Sequence, residues 1–403
     1  MTREELQTRA IEMSKAYDYL LLEWATRVGK TPAAIRIISH SGSFNKWNIV
    51  VAETSHIKQW KEEFHKFGFE FLLPDIQIFC YASLHKHKEN DRNWVFDECH
   101  HIFSKIRWEI ISELNISKAL FLSATVGVDE SMKLGSRFKG LRKDSVSLTQ
   151  AIKWKILPQP KVFVISKELD DKRQDQVYTI SKGLKKDRIY KKCVYKDRFR
   201  LLARYTSVSL QVICTELEKY LLLSNSITKK REYYEEATGG KEWAKNAYLR
   251  EGGIRKKFLA DIKTGMAQKI ITLLSTDKKR FICFSGSIDQ CENLGGHNVI
   301  HSGRSLKENN IILTAFNDKG INSIYAVGML KEGINLYHVD AGIIIQLDNS
   351  TRTYIQRSGR IFLGEEPIQY ILYIKDTQDE VYLEKSLEDF SEEFIYKTNI
   401  NEL

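Results

Sequence analysis

Only five prolines occur in the 403 residues, so no Pro-rich linker divides the chain. The six cysteines, Cys80, Cys99, Cys193, Cys214, Cys283 and Cys291, are scattered and form no CxxC pair. That spacing excludes a standard zinc knuckle and fits reduced thiols, so a cytoplasmic location is expected. No apolar run is long enough to span a bilayer, which argues against a membrane partner. The opening Met1-Thr2-Arg3-Glu4-Glu5-Leu6 is charged and polar, unlike a secretory signal. Internal repeats and low-complexity tracts are also missing.

What is present is an ordinary globular composition, 42% hydrophobic and 28% charged, at a length that suits two or three domains. The charge is unevenly placed. Residues 167–263 hold 24 Lys+Arg against 14 Asp+Glu, whereas the rest of the chain holds 38 of each. The formal excess of +10 therefore sits in one central segment, the footprint of a polyanion-binding surface.

Apolar runs alternate with helical patterns along the first 140 residues. Tyr17–Trp24, Asn48–Ala52, Ile76–Cys80, Trp94–Phe96 and Ala119–Leu122 read as strands. A helix is expected from Pro32, since proline fits a first helical position, and another over Ile57–Phe67 with its Trp60/Phe64/Phe67 stripe. A second series runs through Val162–Ile165, Arg280–Phe284, Ile324–Val327, Gly342–Ile345 and Gln369–Tyr373. Strands separated by helices predict parallel sheets covered on both faces. The basic segment between the two series reads as an insertion, mainly helical after Cys214.

Three features carry chemistry. Asn93-Trp94-Val95-Phe96 runs into Asp97-Glu98, the way a buried parallel strand delivers carboxylates to the edge of a sheet. In such a place Asp97 is suited to hold Mg²⁺ and Glu98 to polarise a water, the division of labour an ATPase needs. Gly29-Lys30-Thr31 follows a strand and opens a helix, as a phosphate-binding loop does; Lys30 would reach the β/γ oxygens and Thr31 would help hold Mg²⁺. The basic run Lys182–Arg204, with Lys191, Lys192, Arg198 and Arg200, interleaves cations with Tyr190, Tyr195 and Phe199, and Tyr205 follows. Stacking rings among phosphate-neutralising cations suit single-stranded or junction nucleic acid. Taken singly, each has a plainer reading: an acidic strand end, a helix start, a solvated surface.

Their order changes the odds. Gly29-Lys30-Thr31, Asp97-Glu98-Cys99-His100, Ser123-Ala124-Thr125 and Gln356-Arg357-Ser358-Gly359-Arg360 succeed one another at strand ends. The series resembles the superfamily 2 helicases, over nearly the whole chain. Gly333-Ile334-Asn335-Leu336 and Gln356 bring it nearest the DExH-type, phage and restriction-enzyme-like branch, which would place it in a host cytoplasm. The resemblance implies an α/β fold of two tandem RecA-like domains, 1–143 and 144–403, with the basic insertion at about 167–262. It implies ATP and Mg²⁺ as cofactors, and a helicase or translocase acting on nucleic acid, DNA favoured over RNA.

Residue by residue, the resemblance assigns Gln7 to adenine, Gly29, Lys30 and Thr31 to phosphate and magnesium, and Asp97 and Glu98 to magnesium and water. His100 with Ser123, Ala124 and Thr125 would couple nucleotide to strand. Arg360 would be an arginine finger across the cleft, with Gln356 sensing closure. Met329–Asn335, including Gly333 and Asn335, would touch both nucleotide and strand. Thr54 and Ser83 would hold strand phosphates, and His101 is expected only to start a helix. Two positions depart from the pattern: Arg27 replaces a loop glycine, and Leu363 replaces a second arginine. Those departures imply a slow ATPase, help from a protein partner supplying an arginine, or a nucleic-acid-binding module whose ATPase has degenerated.

Overall fold

A computed structural model of the chain describes residues 1–42, 45–87, 91–195, 204–236, 242–328, 336–388, 390–399 and 402. Six strands form the first sheet: β1 (Tyr19–Trp24), β2 (Lys46–Val51), β3 (Ile76–Cys80), β4 (Arg92–Phe96), β5 (Ala119–Ser123) and β6 (Arg142–Val146). All pair in parallel, in the order β3-β2-β4-β5-β1-β6. Every residue of β5 is buried, and β4 ends in buried Trp94, Val95 and Phe96. Continuous apolar runs of this kind are what a strand covered on both faces requires.

A second sheet collects β7 (Lys161–Lys167), β11 (Phe281–Phe284), β12 (Val299–Ile300), β13 (Ser323–Ala326), β14 (Ala341–Ile344), β15 (Ile368–Ile374) and β16 (Ile395–Asn399). Its order is β12-β13-β11-β14-β15-β7-β16, again all parallel. Each sheet has one face on its own apolar cluster. A third cluster joins the opposite faces, running from Leu22 and Leu122 through Leu148, Ile152 and Leu157 to Ile282 and Ile344. The two sheets with their helices are tandem RecA-like domains in an α/β fold.

Expected strands lie where the apolar runs placed them, with ends shifted by up to two residues. The short or polar strands β6, β12 and β16 carried no comparable signal. The helix Lys30–His40 starts two residues before Pro32, so the proline sits within its first turn. A division after residue 143 would cut β6, which pairs with β1; the change of sheet falls between Val146 and Lys161.

The insertion is helical after Cys214, in Glu216–Glu236 and Glu242–Asp261. It opens with a small sheet that alternation of Lys, Tyr and Thr had concealed: β8 (Gln176–Lys182), β9 (Ile189–Val194) and β10 (Val208–Cys214), in the order β8-β10-β9. No helix among the described residues is long and apolar enough to cross a membrane.

Lys263 anchors the return from the insertion into the second sheet. Its side chain is wholly buried, donating to Asp379 Oδ2 at 2.6 Å and to the Leu372 carbonyl at 3.1 Å. Burial holds the amine below the ordinary lysine range, with Asp379 opposing that shift. Removing the anion alone strands a buried charge. Asp379→Ala is expected to lower the unfolding free energy by about 3–5 kcal/mol, and Lys263→Met with Asp379→Leu by far less, both read by urea denaturation.

Candidate active site between the two sheets

Parallel pairing sends the carboxyl ends of β4, β5 and β1 to one edge, so three loops distant in sequence become neighbours. β1 runs into the loop Ala25–Gly29, where Arg27 and Gly29 have φ of 69° and 114°. Glycine enters that left-handed region freely, whereas a residue with a Cβ is strained there. The helix Lys30–His40 then begins with its first N–H groups at the loop. Lys30 Nζ donates to the carbonyl of Trp24 at 2.8 Å. Loss of water pushes its amine below the usual lysine range, while Glu98 and then Asp97 pull it back up.

Gln7 reaches the same loop from the helix Arg3–Ala16. A capping box starts that helix, with the Thr2 hydroxyl accepting from Glu5 N and Glu5 accepting from Thr2 N. Gln7 is buried, and a Cβ at Gly29 would stand 3.1 Å from its Nε2. The amide therefore lies against the loop, at a position whose φ favours glycine.

At the end of β4, Asp97 Oδ2 accepts from Trp60 Nε1 at 2.8 Å, and Tyr81 donates its hydroxyl to the Asp97 carbonyl at 2.9 Å. Desolvation and the neighbouring Glu98 raise the Asp97 carboxyl above its usual range, against Trp60, His56 and Lys30. Glu98 adopts a left-handed φ of 46°, and His100 Nδ1 lies 3.4 Å from its Oε2. His101 belongs to the 3-10 turn Cys99–Phe103, in line with a helix start.

At the end of β5, Ser123 donates to the Thr125 carbonyl at 2.9 Å, and Ala124 is buried beside it. Glu23 accepts from Val126 N at 2.7 Å, so the loop after β5 is held by the strand beside it.

The second sheet presents the helix Thr351–Ile361 to this edge. Gly342 makes that possible, because a Cβ there would overlap Ile361. Gly359 lets the helix approach the first-domain loop, where an added Cβ would come within 2.7 Å of Thr26. Gln356 and Arg360, one turn apart, are both buried. Arg360 is felt by Lys30 and by Arg27, lowering both. A cation from the second domain thus acts on Lys30 and Arg27 of the first, and Lys30 in turn is drawn up by Glu98 and Asp97.

Residues 263–362 match the helicase conserved C-terminal domain. No curated protein matches the chain. Among solved structures, S. cerevisiae Dbp5 bound to RNA and ADP BeF3 is similar at TM-score 0.60 and 10% identity, over 98% of this chain and 90% of that one. The Pyrococcus furiosus Hef helicase domain is similar at TM-score 0.51 and 14% identity, over 95% and 97%. At such identities the structural likeness speaks for the fold. The likeness shows tandem RecA-like domains, and the match to a helicase C-terminal domain lies within the second of them.

Other assigned residues lie elsewhere. Thr54, exposed, begins the helix after β2, and Ser83 donates to the Cys80 carbonyl after β3. Both sit on the same sheet edge, away from Lys30. Lys191 and Lys192 are exposed on the edge strand β9 and point to opposite faces of the small sheet, so one face cannot use both. Gly333, Asn335, Arg198 and Arg200 fall outside the described residues.

Sequence reading missed Arg352, which donates to Thr125 Oγ1 at 3.2 Å and to Glu130 at 2.7 Å across the two domains. Its place one helical turn before Gln356 was the available signal. Also missed was Asp348, which takes Arg357 at 3.0 Å and Lys256 of the insertion, linking that insertion to the helix of Arg360. Trp60 was read as core and is also the donor to Asp97. Trp60→Phe keeps the apolar ring and removes that N–H. Urea unfolding is expected to show a loss of about 1–3 kcal/mol.

Proposed function

We propose that this chain is an ATP-dependent nucleic-acid translocase of the DExH type in superfamily 2, acting on DNA in preference to RNA. The observation that carries the reading is the convergence of Lys30, Asp97 and Glu98 with Arg360 between the two sheets. Arg27 and Lys30 are both lowered, first by burial and also by Arg360, and cations gathered in this way call for a polyanion such as triphosphate. The adjacent carboxylates Asp97 and Glu98 call for a cation. No group of three or more His, Cys, Asp or Glu among the described residues could hold a metal by itself. That suits Mg²⁺, which is commonly held by one or two carboxylates together with substrate phosphates.

Thr31 and Asp97 would hold the ion, which when bound neutralises phosphate charge. Lys30 would exchange the Trp24 carbonyl for a phosphate oxygen, and Gln7 would meet the adenine edge. Glu98 would orient the attacking water and take its proton, while Arg360 meets charge developing on the γ-phosphoryl oxygens. Gln356, with Gly333 and Asn335, would report nucleotide to the strand side. His100 and Ser123–Thr125 carry the same signal within the first domain, and the Thr125–Arg352 bond offers a path to the second. Thr54, Ser83 and the insertion cations Lys191, Lys192, Arg198 and Arg200 would grip backbone phosphates without reading bases. The preference for DNA draws on the likeness of Asp97–His100 and Gln356 to the DExH branch.

A competing reading, a nucleic-acid-binding module whose ATPase is degenerate or needs a partner's arginine, draws on Leu363, which packs against the apolar core. It expects salt-sensitive binding without turnover.

An ATPase assay with single-stranded, duplex and forked DNA and RNA separates these. The expected outcome is DNA-stimulated hydrolysis, reduced by about 10²-fold or more in Lys30→Ala and in Glu98→Gln. Turnover that survives both substitutions, or that responds to RNA alone, would sink the site or the DNA preference respectively. Arg352→Ala is expected to leave basal hydrolysis near wild type while flattening its stimulation. Its partly exposed pair with Glu130 should cost at most about 1 kcal/mol of stability by thermal melting.

A further inference from the structure

Arg27 in place of a glycine and Leu363 in place of an arginine are separated by most of the chain, yet the fold relates them. Leu363 follows the buried Ile361 and Phe362 and packs on the core shared by the two sheets. Position 363 therefore supplies no cation to the cleft. Arg27 belongs to the phosphate-binding loop and holds a left-handed φ of 69° that glycine would occupy without strain. A strained residue in such a loop asks for a compensating role of its side chain.

The side chain leaves the loop and crosses to the second domain, where it donates to the Leu336 carbonyl at 3.3 Å. There it lies near enough to Arg360 for repulsion to matter. Burial first, and Arg360 second, hold Arg27 down at about 10. Its described hydrogen bond goes to a neutral carbonyl, and no described carboxylate pairs with it. Two guanidinium groups brought together from different domains, one of them without an anion, make a receptor for a multiply charged phosphate.

We infer that Arg27 is the second arginine of the catalytic cleft, supplied by the first domain's loop instead of by position 363. The inference rests on the ATPase reading above. In hydrolysis the water oxygen bonds to the γ-phosphorus as the bond from that phosphorus to the β,γ-bridging oxygen breaks. ADP leaves with the electron pair, and the water's proton passes by way of Glu98 to the released phosphate. Charge on the transferring phosphoryl oxygens is met by the planar forks of Arg27 and Arg360 together. Because Arg27 rides on the nucleotide loop and also touches Leu336, phosphate contact and domain approach become one event.

The test compares Arg27→Gly and Arg27→Lys with the wild-type chain in nucleic-acid-stimulated ATP hydrolysis. Glycine suits the backbone at this position, so Arg27→Gly should melt no lower than wild type. Its kcat is expected to fall by about 10²–10³-fold, since an arginine finger can be worth about 10³–10⁵. KM for ATP and affinity for ADP should stay within about threefold, while binding of ADP with aluminium fluoride weakens in step with kcat. Arg27→Lys keeps a charge without the fork and should recover less than about a tenth of the rate. Arg27→Gly with wild-type kcat, or with KM raised at unchanged kcat, overturns the inference. Lys30→Ala measured alongside separates the two claims. If it abolishes turnover while Arg27→Gly does not, only the Arg27 assignment falls; if the wild type has no turnover above Lys30→Ala, both fall.

Discussion

Like charges held together between the two sheets are the constraint on which the rest of the structure turns. Arg360 approaches both Lys30 and Arg27, and each suffers for it electrostatically. Burial, and then Glu98, raise the cost of ionising Asp97. Glu98 and Asp97 partly offset the cost of burying Lys30. On the proposed reading, a ligand carrying several negative charges and a bridging cation would stabilise such a site and so link its binding to domain approach.

Close packing is what lets so small a region hold so many demands. Gly342 admits the helix that bears Arg360 against β14, and Gly359 admits that helix against Thr26. Trp60 and Tyr81 fix both the carboxylate and the carbonyl of Asp97, leaving the strand end little freedom. Two polar bridges then spread outward. Arg352 ties the helix to Thr125 and Glu130 of the first domain, while Asp348 ties it to Lys256 of the insertion. The basic insertion and the cleft between the sheets are thereby two ends of one connected set of contacts.

Much of the fold was legible because buried parallel strands must be almost wholly apolar. Ala119–Leu122 and Phe281–Phe284 announce themselves, whereas β6, with Arg142, Lys143 and Asp144, borrows its stability from pairing with β1 and shows no run of its own. The small sheet of the insertion was missed for the same reason. Half of it is exposed, and only β10, buried at Val208, Leu210 and Val212, has a clear apolar face. Lys30, Asp97, Glu98 and Ser123–Thr125 were legible as candidates because each lies at the carboxyl end of a strand or at the end of the loop that follows one. Asp348 and Arg352 could not be assigned partners, because an ion pair over such a separation leaves no periodic trace in either segment.

The sequence by itself determined which residues stand at strand ends, and so which chemistry a parallel sheet would gather at its edge. It also determined that the excess positive charge lies in a single segment, since composition needs no folding to be counted. Only the tertiary structure decided what the two departures mean. Leu363 was a missing arginine on paper and is an apolar contact in the fold; Arg27 was a replaced loop glycine on paper and is a side chain that crosses to Leu336. Direction of a side chain depends on backbone φ and on neighbours brought from hundreds of residues away, and local sequence holds neither.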